Sequence, residues 1–173
     1  YGDTDTLIGL TDLRGSDFAD TLIGDAAENQ LRGSDGNDDI QGLAGNDDLR
    51  GGADDGTLSG GEGDDTLNGG GGNDTLDGGD GSDRVTYDFD FGGVVVDLST
   101  GTATDGSGST DTLVSIEEVE GSRLNDSLTG SDIGGLELRG NDGDDTLVSN
   151  NPNRFSELYG GDGNDTLVVE DGN

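Results

Sequence analysis

The chain has no cysteine, histidine, lysine, methionine or tryptophan, and one proline among 173 residues. Without cysteine, no disulfide can staple the fold. Without histidine, cysteine or lysine the usual bases and nucleophiles are missing, and a serine or threonine hydroxyl with no base beside it is inert. A pair of carboxylates can run glycoside hydrolysis, but the carboxylates that cluster here belong to a repeat with another use for them. No apolar run reaches the roughly 18 residues that a membrane-spanning helix needs, and no basic segment followed by an apolar stretch suggests an amino-terminal signal peptide. Positive charge is scarce as well. Seven arginines stand against forty acidic residues, for a formal net charge of −33. That charge excludes nucleic acid as a partner, and its self-repulsion opposes any compact state. With 27% hydrophobic residues and 36 glycines, the composition reads as disorder unless the glycines have a period.

They do have one. From Gly33 to Thr86 the sequence divides without a gap into GSDGNDDIQ, GLAGNDDLR, GGADDGTLS, GGEGDDTLN, GGGGNDTLD and GGDGSDRVT. The template is GGxGxDxUx, with U a large aliphatic residue. Position 6 is a carboxylate in five of the six blocks: Asp38, Asp47, Asp65, Asp74 and Asp83. Position 5 carries a side-chain oxygen each time, as Asn37, Asn46, Asp55, Asp64, Asn73 and Ser82. Glycine at positions 1, 2 and 4 lets the backbone take positive φ and turn carbonyl oxygens inward. A hard cation such as calcium gathers six to eight oxygens from carboxylates, amides and main-chain carbonyls. The carbonyl donors expected beside the acids are those of Gly33, Gly36, Gly42, Gly45 and Gly60, and further along Gly63, Gly69, Gly72, Gly78 and Gly81. Third-position carbonyls join them, from Asp35, Ala44, Glu62, Gly71 and Asp80. The ion-free alternative makes each aspartate an Asx-turn residue. So many stacked carboxylates without a counter-ion would repel strongly, which favours the cation.

The last three residues of each block alternate polar, apolar, polar, the pattern of a short strand with one buried face. The buried positions are Ile40, Leu49, Leu58, Leu67, Leu76 and Val85. Nine residues make half a coil turn, so successive blocks belong to opposite sheets and every second block stacks on its predecessor.

These blocks resemble the RTX (repeats-in-toxin) family. The resemblance implies an all-β, right-handed parallel β-roll, a β-solenoid with calcium ions between stacked turns, here interrupted by a β-hairpin and loop segment. It implies successive sites at Asp47 with Asp65 and Asp65 with Asp83 along one edge. On the other edge Asp38 and Asp74 flank a damaged block with Asp54 in place of glycine and Gly56 in place of aspartate, so the sites it shares are expected to be weak unless Asp55 substitutes. It also implies a secreted or cell-surface bacterial protein, unfolded at cytosolic calcium, exported by type I secretion machinery and folded by calcium outside.

Four segments follow. Residues 1–32 carry degenerate turns: GSDFADTLI and GDAAENQLR keep Leu22 and Leu31 but place Phe18 and Ala27 at the glycine position, while Asp20 remains a candidate ligand. Leu7 and Leu13 fall in line before them. Residues 33–86 are the regular calcium-binding roll. In 87–110, Tyr87, Phe89 and Phe91 alternate with acids, and Gly92 and Gly93 lead into Val94–Leu98, which predicts a hairpin with its aromatics packed as a plug; a Ser/Thr/Gly-rich loop follows over 99–110. Residues 111–173 form a second roll segment. Residues 111–130 match 5–24 at 8 of 20 positions, with Leu124 on Phe18, which suggests a shared packing variant of the loop. Well-formed loops recur at 140–148 and 160–168, so the expected ligands there are Asp144, Asp145, Asn164 and Asp165 with carbonyls of Gly140, Asp142, Gly143, Gly160, Asp162 and Gly163. Asp126 in the looser 121–129 block would share their edge, and calcium is expected along that edge alone. A start at Tyr1, without methionine and inside a repeat, leads us to expect a piece of a larger array.

Two readings compete with a calcium-folding module. Arg14, Arg32 and Arg50 are 18 residues apart at outward positions, so they should form a stripe on one sheet at about 4.8 Å per turn; such a stripe could meet an anionic polysaccharide, although acids beside it offer a plainer role. The other is a passive, calcium-rigidified spacer of an adhesin. No enzyme activity is expected.

Overall fold

The computed structural model describes residues 4–6, 11–132, 134–150 and 156–169. Among them are nineteen strands and no helix. In chain order the first ten are β1 (Thr4–Thr6), β2 (Asp12–Arg14), β3 (Thr21–Ile23), β4 (Gln30–Asp35), β5 (Asp39–Ala44), β6 (Asp48–Ala53), β7 (Thr57–Glu62), β8 (Thr66–Gly70), β9 (Thr75–Asp80) and β10 (Arg84–Thr86). Then come β11 (Val95–Asp97), β12 (Thr102–Thr104), β13 (Thr110–Val114), β14 (Glu118–Glu120), β15 (Ser127–Thr129), β16 (Leu136–Asp142), β17 (Thr146–Ser149), β18 (Ser156–Asp162) and β19 (Thr166–Val169). The chain forms two compact units, Tyr1–Val85 with Asp111–Ile116, and Thr86–Thr110 with Glu117–Asn173.

In the first unit, strands two apart in sequence pair in parallel and consecutive strands lie in opposite sheets, as half-turn blocks require. One sheet runs β1-β3-β5-β7-β9-β13 and the other β2-β4-β6-β8-β10. The register puts aliphatic on aliphatic, Leu22 beside Ile40, Ile40 beside Leu58 and Leu58 beside Leu76. Opposite them, Leu31, Leu49, Leu67 and Val85 form the second column. All eight are fully buried. The core is thus one residue wide per half turn, and each such side chain contributes about 1.5–3 kcal/mol. β13 returns 111–114 to this unit, and Leu113 pairs with Leu76. The column position read for Leu7 lies outside the described residues.

The second unit repeats the scheme. β11, β15, β17 and β19 stack Val96, Leu128, Leu147 and Leu167 in parallel, and β14, β16 and β18 stack Val119, Leu138 and Leu158. Its hairpin is not the one the sequence suggests. β11 pairs antiparallel with β12 across residues 98–101, and 87–91 contains no strand. Tyr87 is buried, but Phe89 and Phe91 are 59% and 100% exposed, so the aromatics do not form the expected plug. Alternation alone failed because Gly92 and Gly93 do not turn the chain back; Val96 instead takes the aliphatic column position on Leu128. The shared packing variant also fails. Phe18 and Leu124 are exposed, because the fourth position lies at the outer rim of the loop.

Positive φ occurs at positions 2 and 4 but not at position 1. At position 2 even Ser34, Leu43 and Asn141 adopt it, against a preference of roughly 1–2 kcal/mol each. Position 1 is glycine for lack of room. A Cβ on Gly60 would collide with the Asp65 carboxylate and the Gly78 carbonyl. Gly71, at a third position, has nothing within 4 Å of where its Cβ would stand. Gly60→Ala should therefore destabilise the folded chain by about 1–3 kcal/mol through overpacking, while Gly71→Ala stays within about 0.5 kcal/mol. Urea unfolding of both variants in saturating calcium measures the difference.

Candidate metal centre

Parallel stacking brings the position-6 residues of every second loop into files along the roll edges. In the first unit one file holds Asn29, Asp47, Asp65 and Asp83. Within it the Asn29 amide donates to Asp47 Oδ1 at 2.7 Å, Asp47 to Asp65 Oδ1 at 2.7 Å, and Asp65 to Asp83 Oδ1 at 2.8 Å. The opposite file runs Asp20, Asp38, Gly56, Asp74 and Asp111. The Asp20 amide donates to Asp38 Oδ1 at 2.8 Å, Gly56 to Asp74 Oδ1 at 2.7 Å, and Asp74 to Asp111 Oδ1 at 3.0 Å. In the second unit the Asp126 amide donates to Asp145 Oδ1, and Asp145 to Asp165 Oδ1. Asp126, Asp145 and Asp165 therefore share one edge, the placement read from the alternating blocks. These aspartates are buried, at 5% exposure or less except Asp165.

Each carboxylate's first oxygen is thus occupied. The second oxygens of Asp38, Asp47, Asp65 and Asp145 are shut off from solvent with no hydrogen-bond donor. Each faces a main-chain carbonyl across the space over its position-1 glycine: Asp47 Oδ2 and the Gly60 carbonyl over Gly42, Asp65 Oδ2 and the Gly78 carbonyl over Gly60, Asp145 Oδ2 and the Gly160 carbonyl over Gly140. Asp38 Oδ2 and the Gly51 carbonyl meet over Gly33 in the same way. A buried oxygen without a donor loses several kcal/mol of hydration, more if charged. Two facing oxygens with no donor between them make a place that suits a positive charge. Among the described residues no three acidic side chains converge on one point. The remaining ligands of a bound ion would be uncharged oxygens, main-chain carbonyls foremost, a donor set that suits a hard divalent cation.

The other positions supply the loop's own bonding. The third-position carbonyls of Glu62, Asp80 and Asp162 accept the amides of Gly45, Gly63 and Gly143 at 2.8–2.9 Å; a carbonyl's second lone pair stays open for an ion. The side chains of Asp35, Glu62, Asp80, Asp142 and Asp162 are exposed, as are those at position 5 apart from the half-buried Ser82. The position-5 oxygens make a second file at the rim: Asn46 accepts the Asp64 amide, Asp64 that of Ser82, Asp55 that of Asn73, and Asp144 that of Asn164. Asn37 is likewise exposed, away from the position-6 files. Asp55 does not replace the missing carboxylate of the damaged block; it stays in the rim file. At Gly56 the nearest atom to an added Cβ would be Asp74 Oδ1 at 3.3 Å, a tight contact that a small shift of that carboxylate would relieve and a far milder one than at the position-1 glycines. Asp54 keeps positive φ, +70°, in place of the missing glycine.

Asp111 escaped the sequence reading. It lies 37 residues beyond Asp74 and yet occupies the next position-6 place on that edge. The signal was present in the DTL at 111–113, which repeats the block ending of 65–67 and 74–76. The arginine stripe does form. Arg14, Arg32 and Arg50 are adjacent in register on β2, β4 and β6. Each is engaged by a neighbour: Arg50 forks onto Asp48 with bonds of 3.0 and 3.1 Å, Arg32 donates to Gln30, and Arg14 donates to Ser34.

Burial without a cation raises the carboxyl pKa values. Desolvation is the largest cause at Asp38, Asp65, Asp126 and Asp145, with charge from neighbouring aspartates adding to it. Asp47 is pushed up to about 6 by desolvation, with Asp65, Asp25 and Glu28 adding repulsion, against the Asn29 amide that lowers it. A folded-state value above the unfolded one means that the folded chain holds more protons between about pH 4 and 6. That contribution to stability is full below the unfolded pKa and is lost as pH rises through 6. In chelator, the β-signal in circular dichroism should be stronger at pH 4.5 than at pH 7.5, the reverse of ordinary acid denaturation.

The model of the RTX calcium-binding nonapeptide repeat matches four stretches, residues 14–49, 50–85, 137–151 and 156–173, which together make up more than half of the chain. No curated protein matches it. The family is a structural calcium-binding repeat and not an enzyme family. With its stacked blocks and paired oxygens, the chain belongs to the RTX calcium-binding nonapeptide-repeat family.

Proposed function

We propose that the chain is a non-catalytic module that folds when calcium binds, within a larger secreted or cell-surface protein exported by a type I pathway. The observation that carries this reading is the donorless buried oxygen of Asp38, Asp47, Asp65 and Asp145, placed at one position of the repeat. Asp74, Asp83 and Asp165 occupy the same position and complete the acidic set. Carbonyls of the position-1, -2 and -4 glycines and of the third-position residues supply the rest of each coordination shell, and the position-5 side chains order the rim. Segment 33–85 is the regular calcium roll, 111–116 adds a further strand to it, and 86–110 with 117–173 makes up the second roll segment.

The physical logic is a balance of charge. A net charge of −33 opposes compaction, and a core one side chain wide does not offset it. Each bound calcium cancels two charges and satisfies oxygens that nothing else reaches, so the binding free energy is folding free energy. Extracellular calcium modules bind at about 10⁻⁴ to 10⁻³ M. A chain of that affinity stays unfolded in a cytosol poor in calcium and folds outside, which suits passage through a secretion channel. A polysaccharide-binding role gains little support, since the arginines of the stripe already have neighbours as partners.

Circular dichroism during a titration from chelator to about 10 mM calcium tests this. The expected result is a cooperative coil-to-β transition in that range and none with magnesium. Stable β-structure in chelator at neutral pH would overturn it. The damaged block supplies a second test. Asp54→Gly with Gly56→Asp restores the missing elements of the template, so the double variant should fold at lower calcium and bind at least one more ion by equilibrium dialysis.

A further inference from the structure

Three loops of the repeat are built differently from the others. In 15–23, the Ser16 amide and hydroxyl both donate to Asp20 Oδ2, at 2.5 and 2.9 Å, and the Phe18 amide donates to Ser16 Oγ at 3.3 Å. In 24–32, the Asp25 amide donates to Asn29 Oδ1 at 2.8 Å and the Ala27 amide to Asp25 Oδ1 at 2.9 Å. In 121–129, the Ser122 amide donates to Asp126 Oδ2 at 2.7 Å and its hydroxyl to Oδ1 at 2.8 Å, while the Leu124 amide donates to Ser122 Oγ at 3.1 Å. The Val94 amide adds a further bond to Asp126 Oδ1 at 2.7 Å. In all three, the position-6 side chain accepts from the position-2 amide, and the position-2 side chain accepts from the position-4 amide.

The cause is the backbone. None of Ser16, Phe18, Asp25, Ala27, Ser122 and Leu124 has positive φ, whereas positions 2 and 4 of the well-formed loops do. Positive φ at position 2 turns that amide away from the position-6 carboxylate and leaves an oxygen with no donor. Ordinary φ turns the amide toward it and closes the loop. A Cβ disfavours positive φ. One such residue is tolerated, as Ser34, Leu43, Asp54 and Asn141 show, but the three closed loops lack glycine at both positions, and a serine or aspartate at position 2 completes the closed form as a side-chain turn.

We propose that the residues at positions 2 and 4 determine which loops take calcium, and that the loops 15–20, 24–29 and 121–126 are clasps that hold their shape without a metal ion. This inference rests on the reading of the other loops as calcium sites. It assigns Asp20 and Asp126 a hydrogen-bonding role in place of coordination. It also gives the clasps a place in assembly. Asp38, Asp47 and Asp145, the first metal-type loops in each file, accept their amide bonds from Asp20, Asn29 and Asp126. Every file of ion-binding loops thus starts against a loop that is already satisfied.

The test uses the full chain and counts bound calcium by equilibrium dialysis, with the folding midpoint from circular dichroism. Asn29 already fills a clasp with an amide, so Asp20→Asn and Asp126→Asn should keep the wild-type ion count and a midpoint within about twofold. Asp65→Asn should lose at least one ion. Ser122→Gly with Leu124→Gly, which frees both positions to take positive φ, should gain one. Loss of an ion in Asp20→Asn or Asp126→Asn overturns the inference and leaves the calcium reading standing; so does an unchanged count in the glycine pair. No loss in Asp65→Asn would overturn the calcium reading itself. The two asparagine variants lie in separate units, so one that fails to fold leaves the other to decide.

Discussion

A carboxylate oxygen sealed from water at the same place in successive coils is the constraint on which the rest of this structure depends. The parallel register of β4 to β9 delivers it there, because strands that stack aliphatic on aliphatic also stack loop on loop. One oxygen of each aspartate is used to join neighbouring coils through an amide. The other faces a carbonyl, and that pair of oxygens defines the space that position 1 must leave open. Glycine is required at position 1 by that space and favoured at positions 2 and 4 by backbone sign. The three glycines of the template thus answer to two different physical demands.

The thinness of the core follows from the same arrangement. A coil with one aliphatic residue per half turn buries too little to order a chain on its own, and the forty acidic residues oppose ordering further. On the proposed reading, order is conditional on charge neutralisation. Desolvation raises the carboxyl pKa values of Asp47 and Asp65 when no metal is present, so on the same reading protons and calcium ions would compete for the same buried oxygens. Such a fold would respond to its surroundings through its scaffold, without a separate switch.

Much of this was legible in the sequence. The period of nine, the xUx ending and the eighteen-residue stacking placed Ile40, Leu49, Leu58, Leu67, Leu76 and Val85 in the core, where they are fully buried. The arginine stripe and the shared edge of Asp126, Asp145 and Asp165 followed from counting alone. What failed was reasoning from local alternation outside the repeat. Phe89 and Phe91 alternate with acids as strand residues would, yet they are exposed, since residue pattern reports a face and not the presence of something to pack on it. Asp111 was missed for a related reason. Its partner Asp74 lies beyond an insertion, and the eighteen-residue rule stops where the chain leaves the stack. The role of position 1 was misread because the sequence says where glycine stands and not which atom would otherwise collide with it.

The hydrogen-bond pattern separates loops that one template treats as better or worse copies of a single motif. Phe18 and Leu124 look like decay when scored against glycine, and Gly56 looks like the same kind of loss. They differ physically. At Phe18 and Leu124 the change of residue comes with a change of backbone sign, a serine at position 2 and a carboxylate whose oxygens find donors, so every part of the loop agrees with every other. At the damaged block, Asp54 keeps the positive φ of a metal-type loop while Gly56 supplies no carboxylate, so backbone and side chains disagree. Agreement between levels marks a loop with its own stable state, and disagreement marks a site that has lost one. By that criterion the three closed loops read as a second design within the repeat, and the block at 51–59 reads as a broken copy of the first.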